Sequence, residues 1–358
     1  MPANLTVDRS SLTHNLSSIS SSLHPKIMAV VKSNAYGHGI VGISQTIEKF
    51  VTSFAVVDLK EASILRSFTS KPILLLAPLF SHEELNTALE MNIDITISNH
   101  ESLNALTTFK KSHLLKTHIK VDTGMNRLGF KASEVNTDLL NTLKKHSKLT
   151  GLYTHFPAPE DEEFTHQQIK TFNRIVRIAR EVSPTIVIHA ANSMTSLRYP
   201  ESHYDMIRIG FLMYGVPPSV NWRRDFEKLK LKRVATFSAK VIEVKKLSRG
   251  EGTSYDLLWK APIDAKIAVI DAGYADGIPR SLSNRGWVFL NSRFCKIVGN
   301  VCMDYTCVLV PPEHEVKVGD TAEIWGKNNP LEEVAAAAGT IPYEMMTSIS
   351  EKTERVFA

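Results

Sequence analysis

The first part of the chain alternates short apolar runs with longer amphipathic runs. Short apolar runs between polar segments are typical of buried strands, and apolar positions that recur every three or four residues are typical of helices on a sheet. One amphipathic run begins with Ser81 and Glu84, a pair that predicts a capping box at a helix start. The predicted strands are residues 27–31, 54–57, 73–76, 93–97, 118–121, 149–154, 185–188 and 206–209.

Eight sequential β–α repeats indicate a (β/α)8 or TIM-like barrel with its helices outside. An open doubly wound sheet is the alternative, which eight repeats in a row fit less well. Near residue 230 the pattern changes to period two, which is typical of half-buried antiparallel strands. We therefore predict a barrel over residues 1–230 and a smaller, mostly β domain over residues 231–358. The β-like runs of this second domain are residues 235–241, 266–270, 287–290, 294–298, 306–310 and 321–325.

Composition excludes several classes of protein. With 43% hydrophobic and 22% charged residues among 358, the chain is an ordinary folded protein. The net charge of +5 is scattered, so we expect no nucleic-acid partner. The longest apolar stretch contains Pro78 and is far shorter than the roughly 20 residues that span a bilayer. Since the N-terminus also lacks a basic segment followed by an apolar one, we expect no membrane partner and no secretory signal.

The three cysteines, Cys295, Cys302 and Cys307, all lie late in the chain. An odd count without a C-x-x-C pair argues against a disulfide framework and against a structural zinc site. We therefore expect a cytoplasmic protein with free thiols and no metal.

Polar residues follow nearly every predicted barrel strand, which is where barrel enzymes carry their active groups. Lys32 is the most informative, because a lysine directly after an apolar strand is partly desolvated, which lowers its pKa and frees the amine to attack a carbonyl. In the alternative interpretation its stem lines the barrel mouth and its ammonium reaches water. The other strand-end residues are Asp122, Arg127, His155, His189, Asn192, Ser193, Arg208 and Gly210.

Residues 29–39 (AVVKSNAYGHG) resemble the pyridoxal-phosphate attachment motif of alanine racemases, and the resemblance runs from Asp8 to about Arg355. So many motifs in one order make chance similarity a poor explanation. The further matching motifs are KVDTGMNRLG at 120–129, YTHF at 153–156, HAANS at 189–193, RIGFLMYG at 208–215, TSY at 253–255, GYADG at 273–277, CMD at 302–304 and IPYE at 341–344.

The resemblance implies a homodimeric, cytoplasmic isomerase that interconverts L-alanine and D-alanine with pyridoxal 5'-phosphate and supplies D-alanine for peptidoglycan precursors. Each active site would be shared between two subunits. Lys32 would hold the cofactor and act as the base on the D face. Tyr255 of the partner subunit would act as the base on the L face.

Arg208 sets the expected reaction type. By resemblance it donates to the ring nitrogen of the cofactor. A guanidinium has no acceptor, so that nitrogen must stay unprotonated and the ring withdraws fewer electrons, which suits rapid return of a proton to Cα. By resemblance His155 lies between Arg208 and the tyrosine base. The residues implied to bind the cofactor's phosphate are Tyr36, Ser193, the amide of Gly210, and Tyr343.

Arg127 and Met303 are the implied binders of the substrate carboxylate, and Arg127 would also contact the cofactor's phenolic oxygen. Tyr274, with Tyr343, would narrow the entrance, which suits a small substrate. Lys120 is a candidate for carbamylation, a modification of some family members that pairs this lysine with Arg127.

Three alternatives stay open: a broad-specificity amino-acid racemase of the same fold, a non-catalytic pyridoxal-phosphate carrier, and a decarboxylase, which Arg208 disfavours. Taken singly, His155 is a structural histidine and Tyr255 an ordinary loop tyrosine, and we interpret His189 as structural. Asp122 is expected to organise its loop. The sequence departs from the family at Asp256, where glycine is usual.

Overall fold

The computed structural model describes residues 3–358, which fold into two compact units. One unit contains residues 16–35 and 40–212, and the other contains residues 3–15, 36–39 and 213–358.

Nineteen strands, numbered in chain order, form the sheets of the two units. They are β1 (Asn4–Val7), β2 (Lys26–Val30), β3 (Ser53–Val56), β4 (Ile73–Pro78), β5 (Asp94–Ile97), β6 (Lys116–Asp122), β7 (Phe130–Lys131), β8 (Lys148–Tyr153), β9 (Val187–His189), β10 (Met206–Ile209), β11 (Ala235–Leu247), β12 (Gly252–Thr253), β13 (Trp259–Lys260), β14 (Ala265–Ile270), β15 (Trp287–Leu290), β16 (Arg293–Ile297), β17 (Thr306–Val310), β18 (Thr321–Trp325) and β19 (Glu354–Phe357).

Right-handed helices connect most of the barrel strands and also occur near the end of the chain. The α-helices span Arg9–Leu23, Ile40–Ile47, Leu59–Arg66, His82–Glu90, His100–Thr108, Thr137–His146, Glu162–Val182, Thr195–Arg198, Arg223–Lys228, Leu331–Ala338 and Pro342–Thr347. Short 3-10 helices span Glu48–Phe50, Ser112–Leu114, Pro200–Ser202, Phe211–Tyr214, Val220–Trp222, Tyr255–Leu257 and Arg280–Leu282.

The first unit contains the predicted eight-stranded barrel. The ring runs β2, β3, β4, β5, β6, β8, β9, β10 and back to β2, and every pairing in it is parallel. Strands such as β3 and β10 are buried at every residue, which explains their nearly continuous apolar sequences. The prediction of a (β/α)8 barrel is therefore confirmed.

Local sequence signals determine where the helices outside the barrel begin and which face each of them buries. The capping box predicted at Ser81 is confirmed, because its Oγ accepts from the Glu84 amide at 3.2 Å while the Glu84 carboxylate accepts from the Ser81 amide at 3.1 Å. The longest helix, Glu162–Val182, buries one apolar face, and truncating its buried Phe172 to alanine would cost about 3–5 kcal/mol. Among residues 3–358, no helix is both long enough and apolar enough to cross a membrane.

The second unit is built on an antiparallel sheet that closes through β14, β17, β16, β15, β18 and β11. The mostly β character predicted for this part of the chain is confirmed. The N-terminal strand β1 joins this sheet too, antiparallel to β11 and parallel to β19. A single boundary near residue 230 therefore differs from the division in the structure, because β1 pairs with a strand more than two hundred residues away.

Candidate active site

Lys32 follows β2 at the carboxyl end of the barrel and is half-buried. The next four residues, Ser33 to Tyr36, form a left-handed turn with φ between 53° and 54°. Non-glycine residues seldom adopt this conformation, and each costs roughly 1–2 kcal/mol there. A strained turn of this kind persists only where surrounding contacts hold it.

Glu61 supplies one of those contacts and is itself held by a second hydrogen bond. Its Oε1 accepts from the Asn34 amide at 3.0 Å, and its Oε2 accepts from the Val57 amide at 3.3 Å. The Asn34 side chain in turn accepts from the Ile40 amide at 2.8 Å, which ties the turn to the following helix. The buried Glu61 carboxylate thereby fixes the segment that carries Lys32.

Positive charges are concentrated near Lys32. Burial and the nearby Arg127 guanidinium lower the pKa of Lys32, although the Glu61 carboxylate partly opposes them. Burial, reinforced by Arg208, Arg127 and Lys32, lowers the pKa of Lys120 to about 8. Amines of lowered pKa are neutral, and therefore nucleophilic and basic, for a larger fraction of the time.

Arg208 lies in β10 with only 4% of its surface exposed. Its NH1 donates to the Nδ1 atom and the carbonyl of His189 at 3.0 and 2.9 Å. Its NH2 donates to the carbonyls of Thr154 at 2.7 Å and Ala190 at 3.0 Å. These bonds use the two terminal nitrogens, and within residues 3–358 no acceptor takes the Nε–H, which therefore suits an acceptor from outside the protein.

His155 stands two residues after the end of β8, beside Arg208. The Arg208 NH2 lies 3.3 Å from His155 Nδ1. Burial, together with Arg208 and Lys120, holds the pKa of His155 well below its usual range. The imidazole is therefore neutral, and since Nδ1 faces a guanidinium donor, its proton is on Nε2.

Ser193 and Gly210 lie together after β9 and β10. The Ser193 hydroxyl oxygen accepts from the amides of Gly210 at 3.1 Å and Leu212 at 3.2 Å. Two backbone amides therefore converge on one oxygen, an arrangement that also suits the oxygen of a bound anion.

Arg127 lies in the exposed loop that follows β6. Asp122 organises this loop as predicted, because its Oδ1 accepts from the amides of Gly124 at 2.9 Å and Asn126 at 3.1 Å. The Lys131 ammonium lies 3.3 Å from its other oxygen.

Tyr36 and Tyr343 come together in the second unit, with ring centroids 6.4 Å apart. Burial raises the pKa of Tyr36 to about 12 and raises that of Tyr343 as well, so both hydroxyls keep their protons. Gly37 makes this packing possible: its φ is 79°, and a Cβ there would lie 2.0 Å from the Met346 carbonyl oxygen.

Tyr255 lies in a 3-10 helix of the second unit with 73% of its surface exposed. Asp256, where the family has glycine, has a φ of 62°, a conformation that aspartate tolerates better than most residues. Asn300 Nδ2 donates to the Tyr255 carbonyl at 2.8 Å and to the Asp256 carboxylate at 3.2 Å. The substitution therefore keeps the backbone shape that glycine would allow.

Met303 is 54% exposed, and its main chain is fixed by the turn at residues 273–276. The Ala275 amide donates to the Met303 carbonyl at 3.0 Å, and the Tyr274 amide donates to the Cys302 carbonyl at 2.9 Å. Lys352 also joins the neighbouring Asp304 and Asp276, at 3.6 and 3.1 Å. Met303 and Tyr274 are therefore both exposed in the single chain.

Sequence reasoning missed the part played by Glu61, whose only signal is its position three residues after Asp58 at a helix start. It described His189 only as a structural residue or one that lies behind the site, and in the structure His189 accepts from Arg208 and is stacked on Tyr153 with centroids 4.8 Å apart.

A parallel barrel with a desolvated lysine and a buried arginine at its carboxyl end defines a barrel-type enzyme. The family models described as "Alanine racemase, N-terminal domain" and "Alanine racemase, C-terminal domain" match residues 7–218 and 234–357. The chain therefore belongs to the alanine racemase family. It is an enzyme, an isomerase that acts on amino acids.

Similar proteins of known name agree with this assignment. An alanine racemase of Haemophilus influenzae is 35% identical over 356 residues, which cover 98% of this chain and 97% of the relative. The biosynthetic alanine racemase of Pseudomonas aeruginosa has a TM-score of 0.91 at 30% identity, covering 100% of this chain and 99% of that one. The alanine racemase of Bartonella henselae with covalently bound pyridoxal phosphate has a TM-score of 0.90 at 26% identity, covering 100% of both chains.

Proposed function

We propose that this chain racemises alanine with pyridoxal 5'-phosphate, using Lys32 on the D face and Tyr255 of the partner subunit on the L face. The observation that carries the proposal is the pairing of a lysine of lowered pKa with a buried arginine that has one donor to spare, at one end of the barrel.

The residues present fit the cofactor. The Arg208 Nε–H suits an acceptor such as a pyridine nitrogen, and the amides of Gly210 and Leu212 already converge on an oxygen. We assign Ser193, the Gly210 amide, and the neutral hydroxyls of Tyr36 and Tyr343 to the phosphate. When bound, pyridoxal phosphate withdraws electrons from the Cα of the attached amino acid and so acidifies its C–H bond.

Lys32 has two roles in this proposal. Its Nζ holds the cofactor between turnovers, which requires a neutral amine, and its lowered pKa favours that form. Once the substrate amine has displaced it, Nζ accepts the Cα proton of D-alanine, or returns a proton to the same face in the reverse direction. The left-handed turn that Glu61 supports fixes the orientation of the segment that carries this amine.

Inversion without rotation of the substrate requires a second proton carrier on the opposite face. We assign this role to the Oη atom of Tyr255 of the partner subunit, which takes the proton from L-alanine and donates it in the reverse direction. Neutral His155 carries its proton on Nε2, so it can donate to the tyrosine oxygen and favour its ionised form. The high exposure of Tyr255 in the single chain supports a role across a dimer interface.

A dimer also explains the apolar surface of the second unit. Leu257, Leu258 and Ile263 are all exposed near Tyr255 in sequence, and clustered exposed apolar groups mark protein interfaces. We propose that a second copy of this chain covers them and brings its Met303 to the substrate carboxylate, where Arg127 supplies the positive charge.

Lys120 remains a candidate for carbamylation. With a pKa of about 8, part of its amine is neutral near physiological pH and can add carbon dioxide, releasing one proton to solvent and forming an N–C bond in a carbamate of opposite charge to Arg127. A carbamate signal in the ¹³C NMR spectrum of protein equilibrated with ¹³C-bicarbonate would support this assignment, and its absence above pH 8 would contradict it.

Free thiols at Cys295, Cys302 and Cys307 support a cytoplasmic location.

The test is a time course of L-alanine in D₂O with the purified protein and pyridoxal phosphate. We expect optical rotation to decay to zero while deuterium enters Cα, since each proton carrier exchanges with solvent. A non-catalytic carrier would give neither change, and release of carbon dioxide would indicate a decarboxylase. Comparison of kcat/KM for alanine, serine and lysine tests the substrate, because a preference for serine or lysine would favour a broad-specificity racemase.

A further inference from the structure

A chain of buried polar side chains crosses the interior of the barrel behind Arg208. It begins at Asp94, the first residue of β5, and passes through His118 of β6 and His189 of β9. Arg208 NH1 lies 3.0 Å from His189 Nδ1, His189 Nε2 lies 2.9 Å from His118 Nδ1, and His118 Nε2 lies 3.6 Å from Asp94 Oδ2. All four residues are buried.

The barrel is built around this chain of side chains. Gly151 of β8 is the register partner of His118, and a Cβ on Gly151 would lie 2.1 Å from His118 Nδ1. Glycine weakens a strand interior and often marks a close approach by another group. The His118 ring therefore occupies the space that any side chain at position 151 would need.

The direction of the hydrogen bonds is fixed at one end by Arg208, which can only donate. His189 Nδ1 must therefore accept. Burial, with Arg208 and His118 nearby, holds the pKa of His189 well below its usual range, so its single proton lies on Nε2. That proton points at His118 Nδ1, which must accept in turn.

His118 then carries its own proton on Nε2, facing the Asp94 carboxylate. A carboxylate can only accept, whereas Arg208 at the other end of the series can only donate. Every hydrogen bond in the series therefore points from Arg208 toward Asp94. Asp94 Oδ1 has no hydrogen-bond partner among residues 3–358, and the ammonium of Lys116 lies 4.0 Å from it. The Asp94 carboxylate is therefore directed mainly at His118.

We propose that Asp94 and His118 are positioning residues: Asp94 sets the tautomer of His118, and the accepting Nδ1 of His118 then holds His189 in place against Arg208 and so orients the guanidinium. If His118 carried its proton on Nδ1, two N–H groups would face each other at 2.9 Å and His189 would be displaced from the guanidinium. The consequence for catalysis rests on the proposed role of Arg208 toward the cofactor, whereas the tautomers themselves do not.

The direct test is long-range ¹H–¹⁵N correlation of protein labelled with ¹⁵N-histidine, without and with cofactor. We expect both His118 and His189 to be neutral with the proton on Nε2, and His118→Gln and His189→Gln identify the signals. A proton on Nδ1 of either ring, or a doubly protonated His118, would overturn the proposal. This readout is independent of racemase activity, so it survives failure of the proposed function.

Two substitutions at Asp94 separate positioning from packing. Asp94→Leu removes the acceptor, so we expect a mixture of His118 tautomers and a roughly three- to tenfold lower kcat with little change in KM. Asp94→Asn keeps an oxygen acceptor and should restore most of both properties. If Asp94→Leu is insoluble, the spectra of wild type and Asp94→Asn decide alone.

Lys116→Gln is the matched control, because it removes the ammonium that lies 4.0 Å from Asp94 and leaves the hydrogen bonds from His118 through His189 to Arg208 in place. We expect wild-type tautomers and kcat from it. An effect on kcat equal to that of Asp94→Leu would mean that charge at this end of the barrel matters and the tautomers do not, which would also overturn the proposal.

Discussion

Two pairs of functional groups, one pair from each unit, differ in their burial. In the barrel, Arg208 and Lys120 are buried cations whose pKa values are lowered, Arg208 to about 10 and Lys120 to about 8. In the second unit, Tyr255 and Met303 are mostly exposed. Arg208 is fixed by hydrogen bonds within one chain, whereas most of the surface of Tyr255 and of Met303 contacts no other residue of the same chain.

This difference teaches that one chain builds only part of the proposed site. Burial and fixed hydrogen bonds prepare Lys32 and Arg208 for a cofactor before anything binds. An exposed tyrosine has no such preparation, which is why we propose that its environment comes from a partner.

Lys32→Ala should have the largest effect. It removes both the covalent attachment and one base, so activity should fall by on the order of 10⁴ or more. The absorbance of the Lys32-bound cofactor should also disappear. Lys26→Ala, at the exposed opposite end of β2, is the control and should keep both activity and spectrum. Retained activity in Lys32→Ala would remove Lys32 from the mechanism.

Tyr255→Phe should keep the spectrum and lower racemisation by about 10²- to 10⁴-fold, the range for loss of one acid–base group. Both directions must fall together, because the equilibrium constant between enantiomers links the two kcat/KM values.

Deuterium incorporation into D-alanine in D₂O separates the two bases, since Lys32 alone can exchange that proton. We expect Tyr255→Phe to exchange the α-hydrogen of D-alanine much faster than that of L-alanine. Equal exchange of both enantiomers would contradict the assignment of faces. Tyr305→Phe, another exposed tyrosine of the second unit, should behave as wild type.

Lys120→Gln should have a smaller effect, on stability. The pKa of Lys120 is about 8 in the fold against 10.5 when unperturbed, so below pH 8 both states hold the proton and folding carries the whole burial penalty, on the order of 3 kcal/mol. Between pH 8 and 10.5 the unfolded chain binds more protons, so the wild type gains stability as pH rises.

The difference in free energy of unfolding between Lys120→Gln and the wild type should therefore be largest below pH 8 and shrink toward pH 10. Denaturant titrations at several pH values in carbon-dioxide-free buffer measure it. Stability curves that stay parallel across this range would mean that Lys120 is not desolvated.

Much of the fold follows from local pattern. The predicted strands at residues 206–209, 287–290, 306–310 and 321–325 coincide with β10, β15, β17 and β18. β1 and β19 were not predicted, because they pair with each other from opposite ends of the chain. Such pairing depends on tertiary contacts that no local window contains.

Site residues at the ends of strands could be predicted from the sequence. Conformations that depend on contacts with residues distant in sequence could not. Lys32 and Arg208 stand at strand ends, so their position could be inferred. The left-handed turn at residues 33–36 runs against the preferences of serine, alanine and tyrosine, and depends on Glu61 from a different helix. The contact of His118 with His189 joins residues far apart in sequence, and only Gly151 in a strand hinted at it.

The central claim, that two copies share each site, is tested most directly by mixing two inactive variants. Differently tagged Lys32→Ala and Tyr255→Phe subunits are co-expressed, and their heterodimers are isolated through both tags. Each heterodimer would contain one site with both defects and one with neither, so it should recover about half of the wild-type activity. Heterodimers no more active than the two parent variants would contradict the account, because a site built within one chain leaves no intact copy.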